Sequence, residues 1–389
     1  MGKSKKINIL FVITKLELGG AQKQLLSLIR GLDQEKFTPF LFTAQEGLLL
    51  SEAVKINGLT VKKSKSLERP INLWNDLVTV FEIYTYIKEK QVSLVHTHSS
   101  KAGILGRIAA RLAGAKIILH TVHGWSFHDY QGQFLRKFYI CLERIAGKFT
   151  DCIIVVSRHD REKGLANRIV RPEKYQLIRY GIDYAQFNRR TSIFKEKLGV
   201  GPGVKIVTNI SCFKPQKACL DFVKLAALVS RRLPETKFIL VGDGVMRLAV
   251  ETAKEKYALG ERLILTGWRS DISEILSATS VSVLTSSWEG LPITVLEAIC
   301  CGCPVVATDT GGVRDVIEDG KTGFLTACGD MENMCAKVTS LLEDELLRER
   351  ISQQAKINLG DDFSLTRMLK SHCDLYESLI LFKGANNAN

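Results

Sequence analysis

Short apolar runs rich in β-branched residues alternate with stretches of helical period, and the whole pattern starts afresh about half-way along the chain. The runs fall at 8–13, 38–43, 94–97, 116–121 and 152–156, then at 205–210, 237–241, 263–266, 281–284 and 304–308. Helical stretches such as 20–32, 101–112 and 220–232 separate them. Strands this short and this uniformly apolar are buried on both faces, which predicts parallel sheets covered by helices. The restart near Lys205 follows the loop-rich segment 180–203, and 389 residues suffice for two α/β domains. The expected boundaries are 1–188 and 189–365, with a C-terminal helix over 366–385 packing back on the first domain.

A formal net charge of +13 calls for an anionic partner. No zinc-finger or RNA-binding signature occurs, and no basic run is interleaved with aromatics, so nucleic acid is not expected. The ten cysteines sit mostly inside apolar segments, for example Cys141 and Cys300, and read as free thiols of a reducing compartment. Cys300-Cys301-Gly302-Cys303 has no second pair at zinc-finger distance and is not read as a metal or redox site. The apolar run 7–14 is too short to span a bilayer, so a cytoplasmic protein is expected, in peripheral contact with the membrane at most.

In open α/β sheets ligands bind beyond the carboxyl ends of the strands. Leu18-Gly19-Gly20-Ala21 follows the first strand and leads into a helix. Gly19 and Gly20 allow backbone amides to approach an anion there; an ordinary strand-to-helix turn explains them equally well. Gly242-Asp243-Gly244 is a fragment of a glycine-rich loop, and no Walker sequence or complete GxGxxG is present. The richest segment is Ser286-Ser287-Trp288-Glu289-Gly290-Leu291-Pro292-Ile293-Thr294-Val295-Leu296-Glu297-Ala298. Pro292 suits a helix's first turn, and amides around Gly290–Ile293 at that terminus favour phosphate. Glu289 and Glu297, with seven residues between them, suit the hydroxyls of a sugar and a ribose. After the strand at 205–210, Lys214 and Lys217 offer charge for a diphosphate. The alternatives are a helix-terminal carboxylate at Glu289, a solvated Glu297 and solvated lysines.

At these residues the sequence resembles the GT-B glycosyltransferases of family 4, the "glycosyl transferases group 1" set, over nearly the whole chain. Glu289 and Glu297 stand as its E-x7-E motif, followed by Ala298, Gly302-Cys303-Pro304-Val305-Val306 and Gly311-Gly312. Gly19-Gly20-Ala21 and Tyr180-Gly181-Ile182-Asp183 fall in family order. The resemblance implies two Rossmann-like parallel-sheet domains facing a central cleft, with a UDP- or GDP-sugar donor held mainly by the second. It makes Glu297 the ribose ligand, Glu289 the residue facing the sugar and Lys217 the diphosphate lysine. The base is then expected near Thr266-Gly267-Trp268-Arg269, and His123 is similar to the family's active-site histidine. One departure is Cys212, which stands where the family usually has arginine, leaving Lys214 to supply charge.

The expected reaction is retaining transfer of a hexosyl or N-acetylhexosaminyl group to a lipid-linked or saccharide acceptor, with no metal or other cofactor. Synthesis of cell-surface polysaccharide, lipopolysaccharide or glycolipid is the expected setting. A nucleotide-sugar 2-epimerase and a non-catalytic nucleotide-sugar-binding protein are the alternatives. Segment 134–144 mixes Phe134, Leu135, Phe138 and Tyr139 with Arg136, Lys137 and Arg144, which fits an anionic membrane surface as well as a core-facing helix.

Overall fold

The computed structural model describes residues 6–187, 195–196, 199–201 and 203–386. Residues up to Gly181 together with those from Thr366 form one compact unit, and Ile182–Leu365 form a second. The boundary expected between residues 188 and 189 lies outside the described residues; the chain changes units earlier, after Gly181. Backbone pairing places the change there. The Ile182 amide donates to Phe363 (2.8 Å) and the Leu365 amide donates to Ile182 (3.0 Å), so the two ends of the second unit are stapled together.

The first unit carries seven parallel strands: β1 (Ile7–Val12), β2 (Phe37–Ala44), β3 (Thr60–Ser64), β4 (Leu94–His98), β5 (Ile117–Val122), β6 (Cys152–Val155) and β7 (Tyr175–Leu177). Their order is β3-β2-β1-β4-β5-β6-β7. The second unit has β8 (Ile206–Ile210), β9 (Lys237–Val241), β10 (Leu263–Gly267), β11 (Val281–Leu284), β12 (Val305–Thr308) and β13 (Phe324–Thr326), ordered β10-β9-β8-β11-β12-β13. Both are doubly wound, Rossmann-like sheets. Each has one point where the strand order reverses, between β1 and β4 and between β8 and β11. That reversal opens a crevice at the carboxyl ends of those two strands.

The inner strands are buried over most of their length because helices cover both faces. Leu10, Val12 and Val95 pack with Ala102, Ala109 and Ala110 of the helix Ser100–Ala113. Phe222, Val223 and Ala226 of the helix Cys219–Arg232 pack with Phe238, Met334 and Val338. The strands β3 and β7, not expected from the sequence, are edge strands. Lys62 and Lys63 of β3 are exposed and β7 has three residues, so neither gives an apolar run. The C-terminal helix Leu365–Asn386 belongs to the first unit from Thr366 on. Its Tyr376 is fully buried, edge-on to Phe37, and its hydroxyl lies 2.7 Å from Nδ1 of His96. Lys36–Glu377 and Asp151–Lys383 ion pairs tie the same helix at the surface. Among the described residues, no helix is long and apolar enough to cross a membrane.

Candidate active site

In the second unit the loops after β8 and β11, the two strands at the reversal, are bound to each other. The loop after β8 makes a 3-10 turn, Pro215–Lys217, and passes through Ala218 in the left-handed region (φ +44°) before the helix Cys219–Arg232. A non-glycine residue there is strained by roughly 1–2 kcal/mol. Three hydrogen bonds hold the turn against the next loop. The Thr285 hydroxyl donates to the Lys217 carbonyl (3.0 Å), the Ser287 amide to the Gln216 carbonyl (2.8 Å), and the Gln216 side-chain amide to the Trp288 carbonyl (2.9 Å).

This anchoring puts the Lys217 ammonium 2.5 Å from Oε1 of Glu289, with the carboxylate 7% exposed and the lysine 23%. The loop after β12 closes on the same segment. The Thr310 hydroxyl donates to Ser287 (2.9 Å) and the Gly312 amide to Gly290 (2.9 Å). Gly311 has φ +53°, and a Cβ on it would lie 1.9 Å from the Glu289 carbonyl oxygen, so only glycine fits. Pro292 is the N-cap of the helix Ile293–Cys300, whose interior holds Glu297. Glu297 is 6% exposed, which removes the reading of a solvated helix face. Leu291 is buried, and Gly290 contributes its carbonyl to the Gly312 amide.

Lys214 stands half-buried at the N-cap of the 3-10 turn, with its amide donating to the carbonyl of Cys212 (2.8 Å). Gly242 has a structural reason to be glycine: at φ +125° its missing Cβ would sit 2.0 Å from the Ser211 carbonyl oxygen, and its amide donates to Gly267 (2.9 Å). The end of β10 therefore joins the cluster. Thr266 donates its hydroxyl to the Gly267 carbonyl (3.1 Å), and Trp268 shows 41% of its surface. Arg269 is held by both carboxylate oxygens of Asp271, at 2.8 and 2.5 Å, a pairing that raises the guanidinium's already high pKa. Its charge is thus largely engaged within its own loop.

In the first unit the loops at the reversal between β1 and β4 are joined by the Thr14 and Ser99 hydroxyls, 2.8 Å apart. Gly19 is the N-cap of the helix Gly20–Arg30, extended and with no side-chain cap. His123 follows β5 directly. Its Nδ1 lies 2.7 Å from the Tyr180 hydroxyl and its Nε2 lies 2.9 Å from Nδ1 of His98. Burial, with the positive charge of His372 adding to it, pushes the His123 pKa down to about 3. The imidazole is therefore neutral near pH 7, and both ring nitrogens have protein partners. His98 and its neighbour His96 were not among the residues singled out from the sequence. Their spacing of two in the apolar strand β4 is the signal that points to them, because it sets both rings on one face.

The described chain matches two family models in succession. "Glycosyltransferase Family 4" covers residues 18–186 and "Glycosyl transferases group 1" covers residues 191–358. Over 97% of its length the chain is 31% identical to the UDP-Gal:alpha-D-GlcNAc-diphosphoundecaprenol alpha-1,3-galactosyltransferase of Escherichia coli, covering 98% of that protein. Among solved structures it is similar in fold to HepE of Anabaena in complex with UDP and glucose (TM-score 0.84, 21% identity, 96% of this chain and 100% of that one). Sucrose-phosphate synthase of Thermosynechococcus elongatus is similar too (TM-score 0.86, 19% identity, 97% and 100%).

Proposed function

Because the chain belongs to the group 1, family 4 glycosyltransferases of GT-B fold, we propose that it carries a hexosyl or N-acetylhexosaminyl group from a UDP- or GDP-sugar to a lipid-linked or saccharide acceptor, with retention of anomeric configuration. The named Escherichia coli relative, which takes UDP-Gal and a diphosphoundecaprenol-linked sugar, favours a UDP-hexose and a lipid-linked acceptor in cell-surface glycan synthesis.

The observation that carries this reading is the Lys217–Glu289 pair at the strand-order reversal of the second unit. That crevice is where a doubly wound sheet binds a nucleotide. The lysine charge is poised for a diphosphate, and the carboxylate beside it accepts hydrogen bonds from sugar hydroxyls. Glu297 takes the ribose hydroxyls from the helix interior. Gly290, Leu291 and Pro292 lead the chain into that helix and bring its first amides towards the phosphates. Gly242 and the Thr266-Gly267-Trp268-Arg269 segment border the base, where the exposed Trp268 ring offers a stacking face. Lys214 adds the positive charge that Cys212 lacks, as a point charge rather than a two-pronged arginine contact.

In the reaction the bond from the anomeric carbon to the β-phosphate oxygen breaks as the acceptor oxygen bonds to that carbon from the same face. The acceptor proton passes to the departing phosphate oxygen. Lys217, Lys214 and loop amides of the second unit meet the charge that grows on the diphosphate, and no metal is called for. His123, neutral, orients the transferred sugar without serving as a base.

The exposed face of the helix Gln133–Lys148 fits an anionic membrane surface in the same reading. Phe134, Phe138 and Ile145 are exposed beside Lys137, Arg144 and Lys148, while the helix's only acidic residue, Glu143, is buried against Arg107 (2.7 Å). Apolar side chains set among cations, with no exposed carboxylate on the helix, suit the headgroup region at the cytoplasmic side.

Purified protein incubated with UDP- and GDP-hexoses and a short-chain polyprenyl-diphosphate sugar tests the assignment. An elongated lipid product whose new linkage keeps the donor's anomeric form is expected. Epimerised donor without elongated product overturns the transferase reading.

A further inference from the structure

His98 ends β4, next to the end of β5 that holds His123, and its surroundings fix where its proton sits. The two rings are stacked, with centroids 5.2 Å apart and 22° between planes, and the contact between them joins Nδ1 of His98 to Nε2 of His123 at 2.9 Å. The other nitrogen of His98, Nε2, is fully enclosed and has no hydrogen-bond partner among the described residues. A buried N–H without an acceptor is rarer in proteins, and costlier, than an unused acceptor. The proton of neutral His98 therefore belongs on Nδ1, where an acceptor waits. Donation from that atom makes Nε2 of His123 the acceptor, and the single proton of neutral His123 must then sit on Nδ1, facing the Tyr180 oxygen at 2.7 Å.

We propose that His98 is a positioning residue for the transfer reaction: through its Nδ1–H it locks His123 as the Nδ1-protonated tautomer and holds the ring's plane against the Tyr180 hydroxyl. The proposal rests on the reading that His123 orients the transferred sugar. The enclosure of His98 means that it acts through His123 and does not touch substrate. The neighbouring rings support the arrangement without competing for it. His96 is engaged by the Tyr376 and Thr121 hydroxyls, each at 2.7 Å, and His120 lies 2.9 Å from the Thr97 hydroxyl.

The test uses the full chain labelled with nitrogen-15 at histidine. Long-range nitrogen–proton correlation spectra at neutral pH report which nitrogen of each ring carries the proton, and the His123→Gln spectrum assigns the His123 signals. In the wild-type protein His123 is expected to show a protonated Nδ1 and a bare Nε2. In His98→Leu that preference is expected to fade, and kcat to fall about tenfold or more with donor KM unchanged, as follows from a misplaced orienting group. In His98→Asn, whose amide nitrogen reaches the position of Nδ1, the tautomer and most of kcat are expected to return. A wild-type His123 protonated on Nε2 overturns the proposal, as do equal kcat values for the Leu and Asn variants. Where the Leu variant does not fold, the wild-type spectrum and the Asn variant still decide. If the tautomer follows His98 as stated but His123→Gln turns over at the wild-type rate, the locking stands and the role given to His123 falls.

Discussion

Lys217 and Glu289, 72 residues apart in sequence, are held 2.5 Å from each other at the point where the second sheet reverses its strand order. Each partner is engaged by the other. On the proposed reading, a diphosphate shares the ammonium with the carboxylate, and the sugar shares the carboxylate with the ammonium. Lys217→Met and Glu289→Gln are therefore expected to lower kcat/KM by roughly a hundredfold or more, the scale set by removing one preorganised charge partner. Steady-state kinetics with a labelled nucleotide sugar checks this, and wild-type turnover in either variant contradicts it.

Gly311 sets the backbone of the same glutamate. A methyl group at this position meets the Glu289 carbonyl oxygen at 1.9 Å, and φ +53° disfavours any side chain as well. Gly311→Ala must push the loop carrying Glu289 outward. Transfer is expected to fall by at least tenfold with an overall loss of stability of about 1–3 kcal/mol. Urea unfolding beside a turnover assay separates the two effects; unchanged turnover means that the loop can move without consequence.

Ala218 lies in the left-handed region at φ +44°, just after Lys217. Glycine adopts that conformation freely, so Ala218→Gly is expected to relieve strain in the native chain. The gain is expected to be below about 1 kcal/mol, because glycine also loosens the unfolded state. Looser definition of the 3-10 turn is expected to raise donor KM. Differential scanning calorimetry and donor titration read the two quantities, and a lower Tm contradicts the relief of strain.

Five histidines of the first unit make its stability sensitive to acid. Burial pushes His123 down to about 3 and His372 to about 4, and it holds His96, His98 and His120 well below the ordinary value of 6.5. The unfolded chain binds these protons more readily than the folded one. The stability is therefore complete above pH 6.5 and is lost as pH falls from there towards the folded values. Each independent histidine contributes a slope of up to about 1.4 kcal/mol per pH unit. Thermal unfolding followed from about pH 7.5 to about pH 5 should show a steady fall in Tm; a flat profile contradicts the buried, neutral cluster.

Membrane contact has its own assay. Phe134→Asp with Phe138→Asp on the helix Gln133–Lys148 is expected to reduce sedimentation with vesicles rich in anionic lipid and to leave turnover on a water-soluble acceptor intact. Binding that ignores anionic lipid content contradicts the headgroup reading.

Much of this was legible in the sequence because buried parallel strands announce themselves as apolar runs. Ten of the thirteen strands among the described residues were read as such runs. The edge strands β3 and β7 escaped because half-exposed, lysine-bearing or three-residue segments carry no such signature. Glu289, Glu297 and Lys217 were singled out by motif, but their contacts were not. Nothing in the spacing of Lys217 and Glu289 reveals that the chain folds one onto the other, since that depends on which strands become neighbours. Gly242 was read as part of a glycine-loop fragment, and the close approach of the Ser211 carbonyl, which requires glycine there, was not visible in the sequence. His98 went unnoticed because a histidine within an apolar strand looks like filling until its partner across the sheet is known.

The return of the chain to its first unit at Thr366 bears on how the protein is made. The second unit is one unbroken stretch, Ile182–Leu365, and can close as soon as that stretch has left the ribosome. The first unit cannot. Tyr376 fills its interior and meets His96, whose strand was synthesised 280 residues earlier, so the half with the buried histidines must wait until Tyr376 has been made. Until then its unfinished core is exposed to chaperones and proteases, and a premature stop codon near residue 365 is expected to yield a sound second unit attached to an incompletely folded first one.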